Sequence, residues 1–320
     1  MIGKNNMDTL TIGIVLPCYN EEQVLNLTAS KLLDAVQELI SKELISKSSF
    51  IAFVDDGSKD KTWELIEGLT ESKHIKGLKL SGNVGHQNAL LAGLLTFNSQ
   101  ADALISIDAD LQDDISVIEE MIEKFKDGIN VVYAVRKERK TDTFFKRNTA
   151  LLFYKLMTFM KVDIIYNHAD YRLCSQRVIS ALSEYGEVNL FLRGIIPKIG
   201  FSKDIVYYNR LERAAGESKY PFRKMLSFAW NGITSFSNYP LKMVTTVSFL
   251  VFLFCILMSI YALVSLYFYD IVPGWFSTVL PMYFLGGVQL FCLGIIGEYI
   301  GKIYSEVKQR PRFFIDKRID

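Results

Sequence analysis

Thr11–Glu22 reads TIGIVLPCYNEE, a short apolar run with β-branched residues that passes directly into a polar cluster. A run of this length, closed by turn-forming residues, predicts a buried strand. After it, Glu21–Ile40 sets Leu25, Ala29, Leu32, Val36 and Leu39 at helical spacing. The unit then recurs along the chain. Ser49–Asp55 predicts a strand and Lys61–Ser72 a helix, with Ser58 or Asp60 available to cap it. Ile75–Ser81 predicts a third strand and His86–Phe97 a helix; Ala103–Asp108 a fourth strand and Ser116–Asp127 a helix; Val131–Val135 a fifth strand. Strand–helix alternation of this kind means an α/β fold, a Rossmann-like and mostly parallel sheet with helices on both faces.

Four polar clusters fall where these strands end: Pro17 to Glu22, Asp55 to Ser58, Gly82 to His86, and Asp108 to Asp114. Open α/β sheets bind ligands at the carboxyl ends of their strands, so the placement itself points to a site. In the last cluster Asp108 and Asp110 alternate, with Gln112 two residues on. Hard oxygen donors at that spacing suit Mg²⁺ or Mn²⁺, which keep waters and bridge to phosphates. The plain alternative is an acidic loop in which Asp113 or Asp114 caps the Ser116 helix.

The C-terminal third has a different composition. Charged residues make up 22% of the chain, yet Met243–Gly297 holds one, Asp270. On either side lie the charge-free windows Met243–Tyr269 and Ile271–Gly297. About 20 helical residues cross a bilayer core, so each window predicts a span, about 243–269 and 276–302. Before them, Tyr220–Ser237 gathers Phe222, Met225, Ala229, Trp230 and Ile233 beside Arg223 and Lys224, the composition of an interfacial helix. Asp142–Met160 is rich in aromatics and Leu/Met and suits either an interfacial or a core helix. The expected organisation is therefore a catalytic domain over 1–215, a juxtamembrane amphipathic segment over 216–240, two transmembrane helices within 241–303, and a cytoplasmic tail over 304–320.

A net charge of +1 argues against nucleic acid as a partner. The cysteines, Cys18, Cys174, Cys255 and Cys292, form no CxxC pair, which disfavours disulfides and zinc. The N-terminal MIGKNNMDTLTIG shows no basic region leading into a long apolar run, so no secretory signal is predicted. Arg223, Lys224 and Lys242 precede the first window, and Lys302, Lys308, Arg310 and Arg312 follow the second; the loop between has no Lys or Arg. The positive-inside rule then predicts a multi-pass protein of the cell membrane with its catalytic domain and C-terminus in the cytoplasm.

VLPCYNEE, FVDDGSKDKT, GNVGHQNALLAG and SIDADLQDD, in this order, resemble the GT-A domain of family-2 inverting glycosyltransferases. ADYRL (Ala169–Leu173) and the two apolar windows narrow the resemblance to the polyprenyl-phosphate branch, which includes bactoprenol glucosyltransferases and dolichyl-phosphate mannose synthases. The resemblance covers nearly the whole chain. It implies that Pro17, Tyr19, Asn20, Glu22, Asp55 and Asp56 hold the base and ribose of a nucleotide sugar. Gly82, Asn83, Gly85 and His86, together with Asp108, Ala109 and Asp110, would complete the donor site. Asp108, Asp110 and Gln112 would hold Mg²⁺ or Mn²⁺. His86 stands where many relatives carry Lys or Arg, and is kept as a diphosphate contact or a structural cap. Asp170 matches the position usually titled the catalytic base; because a phosphomonoester is largely ionised near pH 7, orienting the acceptor or a sugar hydroxyl is the alternative role. Arg193 falls where relatives have basic residues near the donor or the membrane. Among the cations after the fifth strand, Arg136, Arg139 and Arg147 are expected to clamp the acceptor phosphate, since guanidinium binds phosphate through two parallel hydrogen bonds. The partners implied are a nucleotide sugar, a polyprenyl phosphate such as undecaprenyl phosphate, the membrane, and further copies of the chain, a tetramer among the options.

UDP-glucose is the first expectation for the donor, with UDP-N-acetylglucosamine, UDP-galactose and GDP-mannose behind it. A dehydrogenase would carry GxGxxG after the first strand, where this chain has PCYNEE. A processive polysaccharide synthase would carry a QxxRW-type element, and no Arg precedes Trp63, Trp230 or Trp275. A membrane scaffold with an inactive transferase fold stays the alternative of a different class; it predicts erosion of the metal site, and Asp108, Asp110, Gln112 and Asp170 are all present.

Overall fold

The computed structural model describes residues 9–137, 168–187, 190–209, 239–268 and 274–320, which fall into two compact units. The first holds an eight-stranded mixed sheet. Its strands are β1 (Ile12–Cys18), β2 (Phe50–Asp55), β3 (Ile75–Leu80), β4 (Ala103–Ser106), β5 (Val131–Arg136), β6 (His168–Ser175), β7 (Lys203–Tyr208) and β8 (Ile315–Ile319), in the order β7-β5-β6-β4-β1-β2-β3-β8. The pairs β1·β2, β1·β4, β2·β3 and β5·β7 are parallel. Three pairs are antiparallel: β4·β6, β5·β6 and β3·β8.

Strands β1 and β2 are buried along their whole length, as expected of strands covered on both faces. The helices α1 (Leu25–Ser41), α2 (Thr62–Leu69), α3 (His86–Phe97) and α4 (Ile118–Lys126) follow β1 to β4 in turn. The apolar stripe read in the sequence faces inward: Leu25, Ala29, Leu32, Val36 and Leu39 are all buried. Helix α3 lies close on the sheet because Gly93 has no side chain. A Cβ there would stand 2.5 Å from Val15 and 2.6 Å from Val54. Two shorter helices, α5 (Gln176–Ser183) and α6 (Leu192–Lys198), follow β6.

The sequence did not announce three strands. Strand β6 runs antiparallel between β4 and β5, and the bond from Ser106 Oγ to the Asp170 carbonyl, 2.6 Å, ties it to β4. Strand β7 pairs with β5 at one edge. Strand β8 lies within the segment 304–320 that was expected as a tail: it pairs with β3 at the opposite edge, and Arg312 and Arg318 fasten it through the Tyr185 carbonyl and the Phe97 ring.

The second unit contains α7 (Tyr239–Phe268) and α8 (Trp275–Val307), with Val244, Cys292 and Ile295 buried between them. Helix α7 starts four residues before its charge-free window, and α8 runs ten residues past the end of its own. Among the described residues one stretch, Phe284–Val307, is long and apolar enough to cross a membrane, and Tyr239–Phe254 is a shorter apolar helix. The expected interfacial segment, the Asp142–Met160 helix and the Asp270 loop lie outside the described residues.

Candidate active site

The first two polar clusters interlock. Asn20 adopts a left-handed backbone, φ 55°; its N–H donates to Ser58 Oγ at 3.0 Å and its Oδ1 accepts Lys59 N–H at 2.8 Å. Glu22 Oε2 accepts Lys61 N–H, and Asp60 accepts the N–H groups of Glu22 and Thr62, so Asp60 is the residue that settles the start of α2. Tyr19 is exposed beside this lacing, whereas Pro17 is buried at the end of β1. Asp55 is buried; Oδ1 accepts Ser58 N–H, while Oδ2 has no hydrogen-bond partner. Burial raises its pKa. An unpartnered buried acceptor at a strand end is what a ligand N–H would satisfy.

Asp56 performs a different task. Its two carboxylate oxygens accept the N–H groups of Val84 and Gly85, at 2.7 and 3.0 Å, and so hold the third cluster in place. Gly57 permits the approach, since a Cβ there would meet the Gly82 backbone at 2.6 Å. The chain bends at Gly82, and Gly85, φ 87°, opens α3. Asp56, expected together with Asp55 to hold base and ribose, thus has both carboxylate oxygens bonded to the chain.

The first turn of α3 reaches the centre of the site. His86 Nε2 stands 3.4 Å from Asp108 Oδ1 and 3.7 Å from Asp170 Oδ2. Asp170 Oδ1 accepts from Arg172 Nη2; Oδ2 accepts from Arg193 Nη2 at 3.0 Å and from Gln87 Nε2 at 3.0 Å. Burial opposes the charge on Asp170, but Arg193, His86 and Arg172 hold its pKa well below the usual carboxylate range. Burial also opposes the imidazolium of His86, and the two carboxylates outweigh it and raise its pKa. Of the two guanidiniums, Arg172 is buried at 1% side-chain exposure and Arg193 keeps 33%.

Asp108 has its Oδ1 buried and without a hydrogen bond, although the side chain as a whole keeps 34% exposure; burial pushes its pKa up to about 6. An edge-buried carboxylate raised in this way is relieved by a cation. Asp110 follows on the loop, its Oδ1 accepting Gln112 N–H at 3.2 Å across Leu111, φ 56°. Ala109 is buried, and its carbonyl accepts from Thr28 Oγ1. Among the described residues no three His, Cys, Asp or Glu side chains gather closely enough to hold a metal by themselves. The hard-oxygen pair Asp108/Asp110 therefore fits an ion that takes its remaining ligands from water and phosphate, the habit of Mg²⁺.

Arg136, expected to clamp the acceptor phosphate, has protein partners at the end of β5. Its Nε donates to Tyr208 Oη at 3.0 Å and its Nη2 to Asp113 Oδ1 at 3.2 Å, while Tyr208 also donates to Asp113. The ends of β5 and β7 thus grip the Asp108–Asp114 loop through its buried Asp113, and Asp114, not Asp113, caps the turn at Ser116. Arg139 and Arg147 lie outside the described residues. Sequence reading missed Gln87, Arg172 and Tyr208. A signal existed for Arg172, because His168, Asp170 and Arg172 alternate in HADYRL as residues on one face of a strand.

A family model described as glycosyl transferase family 2 matches residues 13–182, and one described as GtrB C-terminal hairpin matches 239–303. A Bacillus subtilis (strain 168) protein named uncharacterized glycosyltransferase YkoT is 52% identical over 98% of this chain and 93% of its own length. The SfII prophage-derived bactoprenol glucosyl transferase of Shigella flexneri is 40% identical over 96% of this chain and 98% of its own. The prophage bactoprenol glucosyl transferase homolog of Escherichia coli (strain K12) is 38% identical over 96% and 99%.

Proposed function

The chain belongs to glycosyl transferase family 2, and from that premise we propose that it moves one hexose from a nucleotide sugar, UDP-glucose by preference, to a polyprenyl phosphate with inversion at the anomeric carbon. The observation that carries this reading is the meeting of Asp108, His86 and Asp170 at the strand ends of a family-2 domain. The 40% identity to a bactoprenol glucosyl transferase over nearly the whole chain supports the acceptor.

An oxygen of the lipid phosphate bonds to C1 of the hexose while the bond from C1 to the diphosphate breaks and its electron pair leaves with UDP. No base is required, because the second pKa of a phosphomonoester is about 6. A divalent ion at Asp108 and Asp110 would neutralise charge on the departing diphosphate. Asp55 and the Asn20 loop hold the nucleotide end, Asp56 fixes the loop that opens α3, and Asp170 keeps Arg193 and His86 over the reacting phosphates. Arg139 and Arg147 are proposed to serve the acceptor. Arg136 first serves Asp113, which leaves it a weaker candidate for that clamp.

Membranes containing this protein, offered labelled UDP-glucose, UDP-N-acetylglucosamine, UDP-galactose and GDP-mannose with undecaprenyl phosphate, are expected to form one lipid-linked sugar, with glucose the best substrate. Label found only in long polymer, or none in lipid with any donor, would overturn the reading.

The proposed topology has two spans, with the catalytic unit and the C-terminus on the cytoplasmic face. Support comes from β8: it is a strand of the same sheet as β3, so the chain between Tyr208 and Ile315 must cross a membrane an even number of times. Phe284–Val307 supplies one crossing and the charge-free run within α7 can supply the other. A Cys placed at Ser277 is expected to react with an impermeant reagent from outside intact cells, and one at Gln309, beyond the Phe284–Val307 stretch, to stay unlabelled. The opposite pattern would sink the orientation.

A further inference from the structure

We infer that Gln87 is a positioning residue of the transfer reaction, its one amide fixing both the Asp170 carboxylate and the start of the helix that carries Arg193. The inference rests on the reading above, that this site transfers a hexose to a lipid phosphate.

Both ends of the amide are in use. Nε2 donates to Asp170 Oδ2 at 3.0 Å, and Oε1 accepts the N–H of Leu192 at 3.1 Å, the residue before Arg193. Arg193 Nη2 donates to the same Oδ2, also at 3.0 Å. Gln87, Leu192 and Arg193 therefore close a ring around one carboxylate oxygen, with His86 Nε2 3.7 Å from that oxygen. A two-fold acceptor oxygen that already receives two donors cannot swing toward a third partner without breaking one of them. The ring thus fixes where the exposed edge of Arg193 stands.

The other end of this arrangement is anchored independently. Asp56 holds the N–H groups of Val84 and Gly85, so the backbone of Gln87 is set from the nucleotide side of the cleft. Gln87 joins that side to Asp170 and α6, and it does so without a charge. A carboxylate in its place would still accept the Leu192 N–H but would face the Asp170 carboxylate with like charge.

Two variants of the full-length enzyme in membranes or detergent separate positioning from mere support. Gln87→Leu removes both bonds at similar size, and Gln87→Glu keeps the bond to Leu192 while losing the one to Asp170. If Gln87 positions Asp170 and Arg193, kcat falls by about tenfold to a hundredfold in Gln87→Leu and further in Gln87→Glu, since small misplacements at a reacting centre cost that much. The affinity for UDP, read by calorimetry, and the KM for UDP-glucose should stay within about twofold of wild type, because the nucleotide loops keep their bonds. A purely structural tie to Leu192 predicts the opposite order, with Gln87→Glu near wild type. That order overturns the inference. So does a loss confined to thermal stability, or one in which UDP affinity falls by the same factor as kcat/KM. Wild-type enzyme that passes no sugar from any donor to polyprenyl phosphate would instead remove the acceptor reading, and the inference with it.

Discussion

Asp110→Ala is expected to lower sugar transfer by at least about a thousandfold, the loss that several kcal/mol of transition-state stabilisation represents. The protein should remain folded. Asp110 sits on a partly exposed loop after β4, and the bond its Oδ1 accepts from Gln112 N–H is a contact within that loop, worth about 1 kcal/mol. The loop has separate fastenings through Asp113, held by Arg136 and Tyr208, and through Asp114 at Ser116. Losing Asp110 should therefore remove the proposed metal ligand without releasing the segment. Mn²⁺ binding followed by electron paramagnetic resonance in the presence of UDP should weaken in parallel with activity, while the melting temperature stays close to wild type. Turnover at the wild-type rate with Mg²⁺ or Mn²⁺ supplied would dispose of the metal assignment.

The strand–helix series from Ile12 to Arg136 was legible because each element has an unambiguous pattern. IGIVLPC and FIAFVD are continuous apolar runs, and the α1 stripe keeps helical period. The strand ends were legible for the same reason, since each apolar run stops at an acidic or glycine-rich cluster. Strand β6 was hidden by its own chemistry. HADYRLCS alternates His168, Asp170 and Arg172 against Tyr171 and Leu173, and charged residues on a buried face do not look like a central strand until their partners are seen. Strand β8, IDKRI, reads as tail because an edge strand tolerates charge on both faces. The site followed the same division. Its residues were found at the ends of β1 to β4, but the pairing of Asp170 with His86 depends on β6 lying beside β4, which no local pattern encodes. Arg136 shows the same limit: its ion pair with Asp113 joins two segments far apart in the chain, so the sequence after β5 could not announce it.

Asp170→Asn is expected to cost both stability and rate, and the manner of the loss distinguishes an anchor from a base. Arg172 is 1% exposed in its side chain, with Nη2 on Asp170 Oδ1 and no partner for Nε or Nη1. Removing the one carboxylate it pairs with leaves a buried charge uncompensated, which costs about 3–5 kcal/mol in comparable buried pairs. The melting temperature should fall, and more than in Arg193→Ala, whose side chain is a third exposed. Activity should fall as well, by about a hundredfold, because Arg193 and His86 lose the group that aims them. The pH dependence carries the decision. A carboxylate whose folded pKa is depressed contributes stability above its unfolded pKa, about 3.9, and loses that contribution only as pH falls through the lower folded value. Asp170 is held well below the ordinary range, so its charge is constant through the neutral region and its contribution to stability is complete there. It follows that the profile of kcat/KM between about pH 5.5 and pH 8 should owe no limb to this residue. The residual activity of Asp170→Asn should then keep any acid limb of the wild type at a lower level, while a limb that belongs to His86 moves to lower pH, because one of the two carboxylates that raise its pKa is gone. An acid limb that is present in wild type and absent from the variant would mean that Asp170 gives and takes a proton in the reaction, and the anchoring role would have to be abandoned.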